Sequence, residues 1–165
     1  MRVAGLSVAS IAVTAAALIM MSVGGALLTD VGPWYRDLRK PPWNPPNWLF
    51  GPAWTLIYAL VGSAIVIAWN APDGRPAQRA VLVGAVAINF ALNLLWSALF
   101  FAKQRPDWAF AEVIALWLSI LALVLALRPL SRTAALLVLP YLAWVTFAAV
   151  LNWRIVTLNR PFSPV

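Results

Sequence analysis

Apolar residues run along this chain in five blocks, each broken by a short polar or proline-bearing stretch. The blocks cover Val3–Leu28, Trp48–Trp69, Arg79–Ala102, Asp107–Leu127 and Thr133–Trp153. A helix needs about 20 mostly apolar residues to cross a bilayer, and each block is that long. The breaks are built to stop helices. Ala71-Pro72-Asp73-Gly74-Arg75-Pro76 and Arg128-Pro129-Leu130-Ser131-Arg132 combine charge with proline, which has no N–H to donate into a helix. The pattern predicts an all-α membrane protein, a bundle of five transmembrane helices forming one domain over residues 1–165. The first block exceeds the about 7–15 apolar residues of a signal-sequence core, and it carries Ser7, Ser10, Thr14 and Ser22 at helical spacing. It is read as a membrane helix.

Within the third block the residues sort onto two faces at about 100° per residue. Ala80, Gly84, Ala87, Ala91 and Ala98 share one stripe, and Asn89, Asn93, Trp96, Ser97 and Phe100 fall nearly opposite. Small residues let helix backbones approach closely in lipid, so the stripe is expected to be a helix–helix contact and, most simply, a two-fold homodimer interface. Amides in mid-membrane are costly against lipid, so Asn89 and Asn93 should turn inward, either to neighbouring helices or to a site.

Call the face holding the first connection side B and the N-terminal face side A. With a rise of about 1.5 Å per residue, Trp54 and Trp96 lie roughly 9 Å below side B, and Tyr58, Asn93 and Trp144 roughly 14 Å. Trp54, Tyr58, Val61 and Ile65 share a face of the second block; Trp144, Ala148 and Leu151 share one of the fifth. Three helices therefore bring indoles, a phenol and an amide to matched depth. The alternative is plain packing, since aromatics fill bundles well. An interfacial aromatic belt should mark both faces. Here Trp34, Trp43, Trp48, Trp54, Trp96, Trp108 and Trp153 lie in the side B half, Trp117 and Trp144 near the middle, and only Trp69 toward side A. A pocket for a flat apolar ligand, open toward side B, explains that asymmetry.

The one long connection, Thr29 to Asn47, holds Trp34-Tyr35-Arg36-Asp37-Leu38-Arg39-Lys40-Pro41-Pro42-Trp43-Asn44-Pro45-Pro46. Paired prolines stiffen the backbone and the aromatics give it something to pack with. It is expected to be a folded lid over the pocket, the alternative being an interfacial anchor of Trp and Tyr at headgroup level, with Arg36, Arg39 and Lys40 placed to neutralise acidic groups of a ligand. Pro140 should kink the last helix and free the carbonyl of Leu136. Glu112, the only acid well inside a span, is a candidate ligand or proton site, or else a partner of Arg154 or Lys103 on the same face.

Composition narrows the chemistry. Apolar residues make up 63% and charged residues 10%, against about 45–50% and about 25% in soluble domains. There is no histidine and no cysteine. That removes disulfides, Cys/His metal sites, thiol chemistry and histidine-based triads, and five acidic residues leave little for a carboxylate metal cluster. The pI of 11.2 does not signal nucleic acid, because the twelve Lys and Arg are scattered between apolar runs. Side B connections carry Arg36, Arg39, Lys40, Lys103, Arg105, Arg154 and Arg160, and side A carries Arg2, Arg75, Arg79, Arg128 and Arg132. The positive-inside rule places side B, with the first connection and the C-terminus, in the cytoplasm and the N-terminus on the opposite face.

Four stretches are distinctive: W-Y-x-x-L-x-K-P-P-W-N-P-P at Trp34 to Pro46, F-G-P-A-W-T-x-x-Y at Phe50 to Tyr58, N-x-x-W-S-x-x-F-F at Asn93 to Phe101, and P-Y-L-x-W-x-x-F-A-x-x-L-N at Pro140 to Asn152. In these the chain resembles the TspO/MBR family, the tryptophan-rich sensory proteins related to the mitochondrial translocator protein or peripheral benzodiazepine receptor. The resemblance implies five helices, frequently a homodimer, and a cavity under the first loop for tetrapyrroles and isoquinoline-carboxamide drugs. By motif position the ligand-binding residues would be Tyr35, Pro45, Trp54, Tyr58, Asn93, Trp96, Trp144, Ala148 and Leu151, with Trp54 and Asn93 hydrogen-bonding to ligand. Without histidine for axial ligation, free-base protoporphyrin IX or coproporphyrin is expected rather than a tightly held haem. A sensing, sequestering or transporting protein with regulatory output is one reading. A light-dependent catalyst of protoporphyrin breakdown, with Trp54 and Trp144 taking part, is another, although nothing resembles a conventional catalytic site. A sterol- or lipid-binding translocator is the third; sterol recognition in relatives is tied to a basic and aromatic patch late in the last helix, and Leu151-Asn152-Trp153-Arg154 has no tyrosine there.

Overall fold

The computed structural model of the chain describes residues 2, 3 and 5–162. Five helical spans long and apolar enough to cross a membrane account for most of the chain. They comprise α1 (Val8–Leu28), α3 (Asn47–Trp69), α4 (Pro76–Ser97), α5 (Pro106–Leu127) and the pair α6 (Arg132–Leu137) and α7 (Leu139–Asn159), with a short α2 (Pro33–Asp37) in the first connection. This is an integral, multi-pass membrane protein. Its outward faces are what lipid requires: Leu27 is 83% exposed and Trp48 71%, which would be a liability in water and is unremarkable against hydrocarbon.

The prolines that interrupt the sequence pattern turn out to start helices as well as stop them. Pro33, Pro76 and Pro106 each stand at the first position of a helix and Pro140 near the start of α7, where a missing N–H costs nothing and φ is already helical. The first span begins at Val8, not Val3. Arg2–Val3 pairs with Leu6–Ser7 as two antiparallel two-residue strands, and Gly5 makes the tight turn with φ of 80°, a left-handed value that glycine adopts without a Cβ clash. The fourth residue, on which the longer expectation also rested, lies outside the described residues. The last span runs on to Asn159, six residues past the apolar pattern.

The expected disruption at Pro140 is a one-residue interruption at Val138, whose backbone stays in the right-handed helical region at φ −89° and ψ −13°. The helix stops at Leu137 and restarts at Leu139, with Tyr141 and Leu142 both donating to the Val138 carbonyl at 3.1 and 3.2 Å. At the other end of the bundle α4 passes into a π turn, Ala98–Ala102, closed by Lys103 N donating to the Ala98 carbonyl at 2.8 Å. The widened turn carries Phe100 inward, where it is 2% exposed.

Two apolar clusters hold the spans together. The larger runs through Ile57, Val61, Leu82, Val113, Leu116, Ile120, Leu123, Val138, Tyr141 and Val145; the smaller gathers Tyr35, Phe100, Ala109, Leu151 and Ile155 under the first connection. The small-residue stripe of α4 takes no part in either. Ala80, Gly84, Ala87 and Ala91 all face outward, and a Cβ built on Gly84 would meet nothing within 4 Å.

Candidate functional site

A cavity of about 430 Å³ opens among the side B halves of the spans, in the volume range of small-molecule sites. Five helices and the first connection build it. α3 contributes Phe50, Trp54 and Tyr58, α4 contributes Asn93, Trp96 and Ser97, and α7 contributes Trp144, Val145 and Ala148. Val113 and Leu116 come from α5, while Ser22, Gly25 and Ala26 come from α1. Thr29, Val31 and Tyr35 reach it from the connection, and Asn47 from the first turn of α3.

Seven of the nine residues expected at a ligand site meet in this lining: Tyr35, Trp54, Tyr58, Asn93, Trp96, Trp144 and Ala148. Pro45 and Leu151 do not. Pro45 is buried inside the folded connection, and Leu151 packs in the smaller cluster with Tyr35 and Phe100, one turn of α7 beyond Ala148 and turned toward α5. Phe50, Val113, Leu116 and the α1 residues were not anticipated. The apolar ones carry no polar signal in sequence. Those on α1 lie in a block whose hydroxyls recur at helical spacing, Ser22 among them, but are equally suited to packing between helices.

The aromatic walls are contiguous. The Trp54 ring lies 5.4 Å from Tyr58 and 5.9 Å, edge on, from Tyr141; Trp144 meets Phe50 at 6.0 Å and Phe147 at 5.8 Å. Trp96 stacks on Phe100 at 5.1 Å. Such edge and offset arrangements are the preferred geometries of aromatic pairs, so the walls are stiff. Matched depth along three helices is therefore realised as one lined space.

Polar groups at this level are tied helix to helix. Asn93 Nδ2 donates to the Tyr141 hydroxyl at 2.9 Å and Asn89 Nδ2 to Ser119 Oγ at 2.9 Å. Trp96 Nε1 donates to Asn152 Oδ1 at 3.2 Å, while Asn152 Nδ2 donates to the Pro106 carbonyl at 2.8 Å, joining α4, α7 and α5. Asn89 thus serves packing alone. Asn93 does both, because it also lines the cavity.

The first connection is a fastened cover. Arg39 N donates to Asn159 Oδ1 at 2.9 Å and Asn159 Nδ2 returns to the Arg39 carbonyl at 2.8 Å, clamping the connection to the end of α7. Trp34 packs edge on against Phe100 at 6.0 Å and Trp43 against Phe147 at 5.9 Å. Lys40 is turned inward: its Nζ donates to the carbonyls of Tyr35, Arg36 and Leu38 and sits 4.3 Å over the Tyr35 ring. Partial burial pushes the Lys40 pKa down, against the pull of Asp37. Burial pushes the Tyr35 hydroxyl up, the Asn44 side chain opposing, so the phenol stays protonated. Of the three cations expected to meet an acidic ligand, Lys40 is spent within the connection, and Arg36 and Arg39 point to the exterior.

Glu112 departs from expectation in the other direction. It pairs with neither Arg154 nor Lys103, both of which are exposed. It is 9% exposed, and neither carboxyl oxygen has a hydrogen-bond partner. Among the described residues the ion pair present is Arg105 with Asp107, Nε to Oδ1 at 2.8 Å. α5 turns one continuous face, Ala109, Glu112, Val113, Leu116 and Ile120, into the bundle, and that face carries Glu112 in with it.

The TspO/MBR family pattern matches residues 10–158. Among characterised relatives, the tryptophan-rich protein TspO of Chlorobaculum tepidum is 41% identical over 132 residues, 76% of this chain and 79% of that protein. The TspO of Archaeoglobus fulgidus is 38% identical over 145 residues, 87% and 92% of the two chains. The translocator protein of Ovis aries is 39% identical over 121 residues, 73% and 72%.

Proposed function

The chain belongs to the TspO/MBR family, and from that premise we propose that it is a membrane receptor for free-base porphyrins, which it senses, sequesters or moves with regulatory output. The observation that carries this reading is the cavity: indoles and phenols on several walls, the buried amide of Asn93 with a cavity face, and a fastened cover. Flat aromatic walls complement a flat macrocycle by stacking, while a few polar groups fix its orientation. Isoquinoline-carboxamides suit the same walls, with the Asn93 side chain and the indole N–H of Trp54 meeting their carbonyl. The outward stripe of α4 supports a homodimer, and the excess of basic residues on side B supports a cytoplasmic cover.

Titration of the purified protein with protoporphyrin IX, followed by quenching of its tryptophan fluorescence, tests the reading. Saturable quenching that is lost on changing Trp54 and Trp144 together to alanine is expected. Quenching that is linear and indifferent to those changes refutes it. The oxidisable lining of Trp54, Tyr58, Trp96 and Trp144 favours one further reading, light-driven breakdown of the bound porphyrin. Illumination of the complex distinguishes the two, since a receptor leaves the porphyrin absorbance no less stable than in detergent alone.

A further inference from the structure

The way into the cavity is legible from which of its seams are shut. Over α4 and α7 the aqueous face is closed by the Arg39–Asn159 clamp and by Trp34 and Trp43 on their phenylalanine partners, while the lining residues exposed on that face, Thr29, Val31 and Asn47, all lie where α1 ends and α3 begins. The seam between α3 and α7 is closed by aromatic pairs, Phe50 on Trp144 and Trp54 on Tyr141. Between α1 and α4, the Leu94 side chain presses so close that a Cβ on Gly24 would lie 3.1 Å from it.

The seam between α1 and α3 behaves differently along its length. Toward side A it is tight. A Cβ on Gly62 would lie 2.6 Å from Leu18 Cδ1, and Asn70 bonds both Ser7 N at 2.8 Å and Ser10 Oγ at 2.9 Å. The buried residues of α1 are Ser10, Thr14 and Met21, and beyond Met21 the helix buries nothing more. There the cavity lining is small on both sides, with Ser22, Gly25 and Ala26 across from Gly51 and Thr55. A Cβ on Gly25 or on Gly51 would meet nothing within 4 Å. The hydroxyls at this rim are already spent on their own helices, Ser22 Oγ to the Leu18 carbonyl at 2.8 Å and Thr55 Oγ1 to the Gly51 carbonyl at 2.9 Å. A rim with its polar groups satisfied internally can face hydrocarbon without penalty.

We propose that the cavity is loaded sideways from the bilayer, through a portal between the side B halves of α1 and α3, so that its ligands are molecules already dissolved in lipid. This rests on the ligand-binding reading above and adds to it a ligand class, apolar and membrane-partitioned, and a route.

The chain has no cysteine, which gives a direct test. Ala148→Cys places one thiol in the lining. In lipid vesicles, an uncharged phenylmaleimide should label it faster than a sulfonated, membrane-impermeant maleimide, with each rate scaled to that on the SDS-unfolded protein. The expected ratio is at least about tenfold, equivalent to about 1.4 kcal/mol of barrier. Gly51→Trp fills the portal from α3 and should cut labelling by the uncharged reagent by a similar factor; Ser22→Trp, from the opposite wall, should repeat the result. Asn159→Ala releases the cover and should leave labelling by the uncharged reagent unchanged, any gain falling to the sulfonated one. Equal rates for the two reagents, or uncharged labelling that ignores both tryptophans, would overturn the portal. Protoporphyrin IX should protect the thiol. If the portal results hold without protection, the porphyrin reading fails and the route stands.

Discussion

The bond between Asn93 and Tyr141 offers a sharp test of how this bundle is held. Asn93 is 5% exposed and Tyr141 3%, so water does not replace either partner when the other is removed. Tyr141→Phe strands the Asn93 amide, and Asn93→Leu strands the Tyr141 hydroxyl; each is expected to cost about 1–3 kcal/mol, the penalty for an unpaired buried group. The double variant strands nothing. It should therefore lose less than the sum of the singles, by a coupling between about 0.6 and 1.7 kcal/mol, the range for interhelical hydrogen bonds in membranes. SDS-induced unfolding in dodecyl maltoside, read by tryptophan fluorescence, measures all four corners of the cycle. Ligand affinity supplies a second axis, since Asn93 lines the cavity and Tyr141 does not. Asn93→Leu should weaken carbonyl-bearing ligands by about 0.5–1.5 kcal/mol, and Tyr141→Phe by much less. Additive stability losses, or equal effects on affinity, would refute the assignment of Asn93 to both tasks.

Three other outcomes follow from the geometry. Gly84→Leu with Ala87→Leu should abolish a dimer, measured by light scattering in detergent, while ligand titrations stay unchanged, because both positions are exposed and a Cβ on Gly84 would meet nothing within 4 Å; a persisting dimer would exclude the stripe as its interface. Glu112→Leu should preserve or raise stability, by up to about 1–3 kcal/mol, because it removes a buried polar group without a partner; a loss of that size in SDS unfolding would reveal a partner that Glu112 needs. Lys40→Met should leave three carbonyls of the cover without their donor and speed proteinase K cleavage near Arg39, and unchanged cleavage would mean the Asn159 clamp suffices alone.

The spans were readable because lipid demands long apolar runs, and the breaks because proline is unambiguous. The inward face of α4 was readable too, since amides and alanines cannot exchange places in hydrocarbon; Asn89, Asn93, Ser97 and Phe100 are all buried and the alanine stripe is outside. What escaped is whatever depends on contacts between distant segments. Asn159 lies beyond the apolar pattern, and nothing local marks it as the anchor for Arg39, 120 residues away. Lys40 reads as a ligand-facing cation until the fold of the connection supplies carbonyls to receive it. Glu112 reads as half of an ion pair, because sequence reports the sign of Arg154 and Lys103 but not that both stay outside. The α1 wall escaped for a simpler reason: serine, glycine and alanine are compatible with every role a membrane helix offers.

The clamp between Arg39 and Asn159 also bears on how the molecule is made. A chain emerging from the ribosome exposes the Arg39 segment long before α7 exists. Until then Tyr35, Trp34 and Trp43 have aromatic and aliphatic surfaces with no complete seat, since Ile155 and Phe147 arrive last. The cover can be fastened only after the final helix has inserted to its full length, its last turn included. Completion of the cavity therefore waits on α7, and a chain lacking the last turn of α7 would keep five spans in the membrane and lose the fastening over its central space.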